Sequence, residues 1–485
     1  MPSILKLILL SPLSLVWAIP AEKRAANPTV VISKPEATIV GSTGLDKVDK
    51  FNGIPFAVPP TGSLRLKPPQ PIQISLGTIQ ATSNLPNSIV ARLANIIIHQ
   101  EVNNAGEKCL TVNVRRPSGT QADAKLPVLV WIFGGGFEQG STASYDGSNF
   151  GTSSVKLGMP VILLAMNYRL GGFGLLLGAE ILKDGSANLG LMDQRLALQW
   201  VADNIAAFGG DPSKVTIWGE SAGAISVFDQ MAMYDGDDIY YGAPLFRSAI
   251  MNSGSTAPVN PVDSTKGQAV YYTVVKNAGC SGAGDTLECL RELDYTKFLN
   301  AANSVPCILG YNSVAESYLP RPNGKVSTES PDQLVIQGKY ASVPFIVGDQ
   351  EDEGTIFALY QSNLTTTDHI VDYLQNLFFF DASRQHIKDF IATYKDIQQD
   401  GSPFRTGSLH NWYPQYKRLS AILGDLSFTL TPRTQINAGD CLDWPQWGHN
   451  QSLMNFFIDH GALLPDDFRQ DTYNHIMADP AAFYI

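Results

Sequence analysis

Beyond its first residues the chain has no apolar run long enough to cross a bilayer, no block of basic residues, no internal repeat and no low-complexity tract. Each absence removes a class of function. Without a stretch of ~20 apolar residues there is no transmembrane helix to expect. Without clustered Lys and Arg there is no surface suited to a phosphate backbone, so no nucleic-acid partner is expected. Charge is sparse, at 16% of 485 residues, and 34 Lys and Arg against 45 Asp and Glu leave a net −11 that favours solubility. Cysteine is also scarce: five residues are too few for a disulfide scaffold, and their number is odd. What remains is a chain that is 44% hydrophobic, enough for a large buried core.

The first residues read as a targeting segment. Lys6 precedes the apolar run Leu7 to Trp17, and Val16 and Ala18 stand at the −3 and −1 positions of a cleavage site, so residues 1–18 are expected to be a signal peptide. The pair Lys23-Arg24 marks residues 19–26 as a candidate propeptide, or is an ordinary exposed pair. The mature chain, 27–485, is then expected to be secreted and soluble. In that oxidising setting Cys280 and Cys289, bracketing a short Gly- and Ala-containing loop, are the expected disulfide, and Cys109, Cys307 and Cys441 have no evident partners. Asn363-Leu364-Thr365 and Asn450-Gln451-Ser452 are sequons, with Asn363 the better glycosylation candidate.

Apolar runs at Val128–Phe133, Val161–Met166, Val215–Trp218, Ala249–Met251 and Phe345–Val347 read as buried strands without strict alternation. Helical patterns such as Leu191 to Ala206, with Leu196 and Trp200 on one face, lie between them. This alternation predicts one α/β domain with a mostly parallel central sheet covered by helices on both faces.

The run Gly219-Glu220-Ser221-Ala222-Gly223 follows one of these strands and opens a small-residue helical segment. A G-x-S-x-G between strand and helix is a nucleophile elbow: the flanking glycines let strand and helix approach closely and lift the serine hydroxyl toward substrate. Acyl transfer to serine also needs donors where the carbonyl oxygen becomes negative. Phe133-Gly134-Gly135-Gly136-Phe137 ends an earlier strand and leaves backbone N–H groups of Gly135 and Gly136 for that purpose, with Ala222 supplying a third. On its own, the glycine run reads equally well as a tight turn.

The longer segments Phe208-Gly209-Gly210-Asp211-Pro212 and Val215 to Gly223 resemble the serine signature of type-B carboxylesterases and lipases of the α/β-hydrolase fold. Glu107-Lys108-Cys109-Leu110-Thr111-Val112-Asn113-Val114 resembles the second signature of that family, with Lys108 where an acidic residue is usual. The stretches 188–207 and Leu319–Pro322 are most similar to fungal secreted lipases. The resemblance implies an acid as well. Within Gly348-Asp349-Gln350-Glu351-Asp352-Glu353-Gly354-Thr355 it assigns Glu353 to orient a histidine, leaving Glu351 and Asp352 as loop charges. The order Ser, acid, His requires the base downstream of Glu353, where His369, His386, His410, His449, His460 and His475 stand.

None of these six follows the family pattern of a Gly-Thr-Phe-His loop after a late strand. The similarity runs to about Thr431, then resumes near Trp444-Pro445-Gln446-Trp447, so a late strand and the histidine loop are expected to be missing. His449 is the one rescue candidate, because the shortened connection would draw it inward. A second departure is at Cys109: no cysteine precedes it, so the disulfide-closed flap of the family cannot form in the usual way. The apolar face of Ser88 to Val102 is a candidate lid or ordinary core.

Two readings follow. The first is a secreted carboxylic ester hydrolase acting on small or lipid esters through an acyl-enzyme on Ser221, with no metal or organic cofactor and with contact at a lipid interface. The second is a catalytically impaired relative, either a binding protein or the product of an incompletely assembled gene. Phe357, Leu359 and Leu377 to Phe380 would line an acyl pocket in the first reading, or fill the core in either.

Overall fold

Thr29–Ser33 (β1) and Glu36–Val40 (β2) alternate apolar and polar residues and pair antiparallel, so Val30, Ile32, Ala37 and Ile39 reach the core from one face. With Gly77–Gln80 (β5) they form a small three-stranded sheet beside the main one. The structure, a computed structural model, describes residues 27–83, 105–432, 452–456, 461–465 and 468–485. The expected signal peptide and propeptide, the Ser88–Val102 segment, Cys441, His449, Asn450 and His460 lie outside the described residues.

The main sheet has eight strands: Ser42–Thr43 (β3), Val48–Pro55 (β4), Thr111–Pro117 (β6), Leu126–Ile132 (β7), Ile162–Met166 (β8), Gly210–Glu220 (β9), Ser248–Asn252 (β12) and Phe345–Gly348 (β13). Their spatial order is β3-β4-β6-β8-β7-β9-β12-β13. Neighbouring strands run parallel from β8 to β13 and antiparallel from β8 to β3. Two short hairpins, Ile239–Tyr240 (β10) with Ala243–Pro244 (β11) and Ser452–Phe456 (β14) with Gly461–Pro465 (β15), stand apart from it.

Four of the seven pairings are parallel and three antiparallel, so the sheet is mixed, and the antiparallel side is what the sequence pattern hid. In β6 the residues Asn113, Arg115 and Arg116 are buried, so the strand does not read as apolar. Each is satisfied inside: the Asn113 side-chain oxygen accepts the Gly53 N–H at 2.7 Å, and Arg116 pairs with Asp49 at 3.2 Å. On the parallel side β8 is buried at every position, as a strand covered on both faces should be, whereas β9 and β12 alternate buried and half-buried residues.

Helices cover both faces. The helix Leu189–Asn204 buries Leu198, Trp200 and Val201 and packs on the helix Ala222–Gly236, which itself lies against β7, β9 and β12. Among the described residues β13 is the last strand of the sheet, and its Ile346 side chain is 65% exposed. No helix among the described residues is long and apolar enough to cross a membrane.

Candidate active site

β9 ends at Glu220, and the next residue, Ser221, has φ 56° and ψ −127°, a strained backbone for a residue with a side chain. Its N–H donates to the Asn252 carbonyl at 2.9 Å, which ties the turn to the end of β12. Its carbonyl accepts the Ala224 and Ile225 N–H groups at 2.8 and 3.0 Å and so starts the helix. Because the peptide is planar and trans, the Ala222 N–H points opposite to that carbonyl, out of the helix N-terminus.

Three close approaches explain the glycines. A Cβ on Gly219 would stand 2.2 Å from the Gly223 carbonyl oxygen, and one on Gly223 would stand 2.1 Å from that of Ile132. One on Gly134 would lie 2.5 Å from the Glu220 carbonyl oxygen and 2.9 Å from the Ser221 Cβ. The glycine run after β7 therefore lies directly against the elbow. Gly135 and Gly136 have φ 108° and 60°, which glycine adopts without cost.

The Gly135 carbonyl accepts the N–H groups of Glu138 and Gln139 at 3.2 and 3.1 Å. Peptide planarity then turns the Gly136 N–H away from that turn. Among the described residues neither the Gly135 nor the Gly136 N–H donates to another group of the chain. The Tyr168 hydroxyl fixes the start of the run by donating to the Phe133 carbonyl at 2.8 Å.

The acid loop follows the adjacent strand. Gly348, the end of β13, accepts the Ser253 N–H at 2.7 Å, one residue beyond the Asn252 that holds Ser221. Glu353 is half-buried, and its Oε1 accepts the Gln350 N–H at 2.7 Å. Burial and the nearby Glu353 carboxylate push the Glu220 carboxyl above its usual range, so these two acids share one electrostatic neighbourhood beside Ser221. The loop is seated on the helix Tyr416–Gly424: a Cβ on Gly354 would be 1.8 Å from the Ser420 carbonyl oxygen, and the Tyr416 hydroxyl donates to Thr355 at 3.0 Å. The other acids of the loop have structural partners. Asp352 accepts from the Ser402 hydroxyl at 2.8 Å and the Phe404 N–H at 2.9 Å, and Glu351 pairs with Arg405.

Among the described residues the site has no histidine partner. Among the described residues no histidine hydrogen-bonds to Ser221 or Glu353. His369 bonds to Thr365, His475 reaches the His386 carbonyl at 3.3 Å, His386 faces Asp479 at 3.8 Å, and His410 lies on a surface turn. The chain does leave the described region near the site. Thr431 is buried and accepts from the Thr256 hydroxyl at 3.0 Å, just past Gly254, whose own Cβ position is 2.8 Å from the Ser221 carbonyl oxygen.

Cys280 and Cys289 form the expected disulfide, while Cys109 is a buried free thiol and Cys307 a half-buried one. Phe378 and Phe379 fill the core; Phe357, Leu359 and Leu377 are partly buried against it, with Phe357 stacked on Phe428. Asn363 is exposed, and its side-chain amide donates to the Tyr311 hydroxyl at 2.9 Å. Sequence reasoning missed Asn252, Glu138 and the buried pairs Arg65–Glu107 and Arg169–Asp193 that brace neighbouring loops at 2.6 and 2.7 Å. Only Asn252 had a signal, in the turn-forming run Asn252-Ser253-Gly254-Ser255 after a strand.

A serine on a strained strand-to-helix turn, at the carboxyl ends of parallel strands and facing a glycine run, defines an α/β-hydrolase. The sequence model of the carboxylesterase family matches residues 31–435, and the chain belongs to that family of carboxylic ester hydrolases. It is 49% identical to secreted lipase 1 of Botryotinia fuckeliana over 549 aligned positions, covering 96% of each chain. It is 54% identical to a secreted triacylglycerol lipase of Gibberella zeae over 545 positions, covering 96% of this chain and 92% of that one. Among solved structures it is similar to Aspergillus niger EstA, with a TM-score of 0.72 and 29% identity over 85% of this chain and 75% of that one. The Botryotinia alignment exceeds this chain by 549 − 485 = 64 positions, so at least that many positions of the relative have no counterpart here.

Proposed function

We propose that the chain is a secreted lipase or esterase that hydrolyses carboxylic esters through an acyl-enzyme on Ser221. Secretion and a lipid ester substrate rest on its similarity to secreted lipases, one of them named a triacylglycerol lipase. The observation that carries the chemistry is the strained Ser221 held by Asn252 against the glycine run. The Ser221 hydroxyl attacks the ester carbonyl; the Gly135, Gly136 and Ala222 N–H groups receive the tetrahedral oxyanion; the alcohol leaves; and water releases the acid. Glu353 holds the imidazole that moves the proton. That imidazole comes from outside the described residues, with His449 the candidate.

A second reading has its own support. The family match ends at residue 435, at least 64 positions of a relative have no counterpart, and β13 ends the described sheet. These observations fit a transcript that lacks the segment carrying the late strand and the histidine. Removing the histidine of a serine triad costs on the order of 10⁶ in kcat, which leaves at most roughly 10³–10⁴ over water from binding and the oxyanion donors.

Hydrolysis of p-nitrophenyl butyrate and of an emulsified triacylglycerol by the purified chain separates the readings. Turnover at ordinary lipase rates, lost in His449→Ala, supports the first. An inert wild type, together with a transcript carrying a histidine-bearing segment between Thr431 and Trp444, supports the second.

A further inference from the structure

Glu138 stands two residues after Gly136 and is 3% exposed, yet among the described residues it pairs with no cation. Its Oε2 accepts the Ile308 N–H at 3.0 Å, a bond between chain segments 170 residues apart. Ile308 in turn lies on the oxyanion run: a Cβ on Gly136 would stand 2.6 Å from its Cδ1 and 2.9 Å from its Cγ2. The Glu138 main chain acts on the same peptide, because its N–H holds the Gly135 carbonyl at 3.2 Å. One residue thus grips the Gly135–Gly136 peptide from one side and fixes the side chain that packs on it from the other.

We propose that Glu138 is a positioning residue for ester hydrolysis: its carboxyl clamps the Ile308 segment against Gly136 and so holds the Gly136 N–H in the orientation that receives the oxyanion. The inference rests on the reading of Gly135 and Gly136 as oxyanion donors. Burial pushes the Glu138 carboxyl up to about 8, so at neutral pH it is an uncharged acceptor that an amide can replace. A methionine of similar length fills the space but leaves the buried Ile308 N–H without an acceptor.

The test compares wild type, Glu138→Gln and Glu138→Met, with Glu138→Ala as a second loss variant should the methionine protein fail to fold. Hydrogen exchange of the peptide spanning Ile308 is measured in the free protein, and kcat and KM are measured on p-nitrophenyl butyrate. The expected result is at least tenfold faster exchange in E138M and about a tenfold loss of kcat with KM within about twofold, a fraction of what deleting an oxyanion donor outright costs. E138Q is expected to match wild type within about twofold in all three measurements. Unchanged exchange in E138M, a Gln variant as impaired as the Met variant, or a change confined to KM would overturn the proposal. If the wild type does not turn over, the reading of an active hydrolase has failed, and exchange alone decides the clamp: faster in E138M and restored in E138Q supports it, unchanged in E138M overturns it.

Discussion

The α-carbon of Gly223 lies so close to the end of β7 that a Cβ there would stand 2.1 Å from the carbonyl oxygen of Ile132. The obstacle is backbone on a central strand, so neither partner can move aside. Gly223→Ala is therefore expected to destabilise the protein by on the order of 3 kcal/mol or more, or to prevent folding. Gly284→Ala, at a position with nothing within 4 Å of a Cβ, should stay within about 0.5 kcal/mol of wild type. Urea unfolding midpoints of the two variants check this.

Ser221 carries its strain in the backbone, at φ 56°, and alanine at this position carries the same strain. Ser221→Ala should therefore leave the melting temperature close to that of wild type, while Ser221→Gly should stabilise by about 1–3 kcal/mol. Calorimetry on the pair separates a strained elbow from a relaxed one, in which glycine would stabilise no more than alanine.

Asp229 is buried on the helix that follows Ser221, and its Oδ2 has no partner among the described residues. Burial pushes its carboxyl up to about 8. The folded state thus binds a proton that the unfolded state has lost, so this group favours folding below about pH 4 and that stability disappears as pH rises toward 8. Asp229→Asn removes the dependence. The stability gap in favour of D229N should widen between about pH 4 and 8, to several kcal/mol, and then level off. Parallel stability curves for the two proteins would show the carboxyl to be ordinary.

The Cys280–Cys289 bridge closes a loop with a sequence separation of 9. A loop of that size limits the unfolded chain by about 2–3 kcal/mol. Cys280→Ala/Cys289→Ala should lose about that much stability without changing the reaction of Ser221 with a fluorophosphonate, since the loop contributes no residue to the site. Loss of labelling in the folded double variant would contradict the assignment of the site.

What could be read in advance follows from where side chains are satisfied. The parallel strands were visible because Val128, Val130, Leu164, Val215 and Ile217 are buried against helices and leave apolar runs. Strand β6 was not, because its Asn113, Arg115 and Arg116 find buried partners that lie far away in sequence. The same holds at the site. The glycines around Ser221 announce themselves, since close backbone approach leaves no other residue type. Glu138 does not: a lone glutamate after a glycine run reads as a solvated turn, and its partner Ile308 is 170 residues away. The base is legible only as a broken pattern, because no histidine downstream of Glu353 stands in a Gly-Thr-Phe-His loop after a strand-like run.

The most direct test of Ser221 as nucleophile is the initial rate of p-nitrophenol release from p-nitrophenyl butyrate, measured on wild type and Ser221→Ala at equal folded concentration. Release that depends on Ser221, falling by at least about 10³-fold in S221A, is the predicted result. Equal release from the two proteins would contradict it.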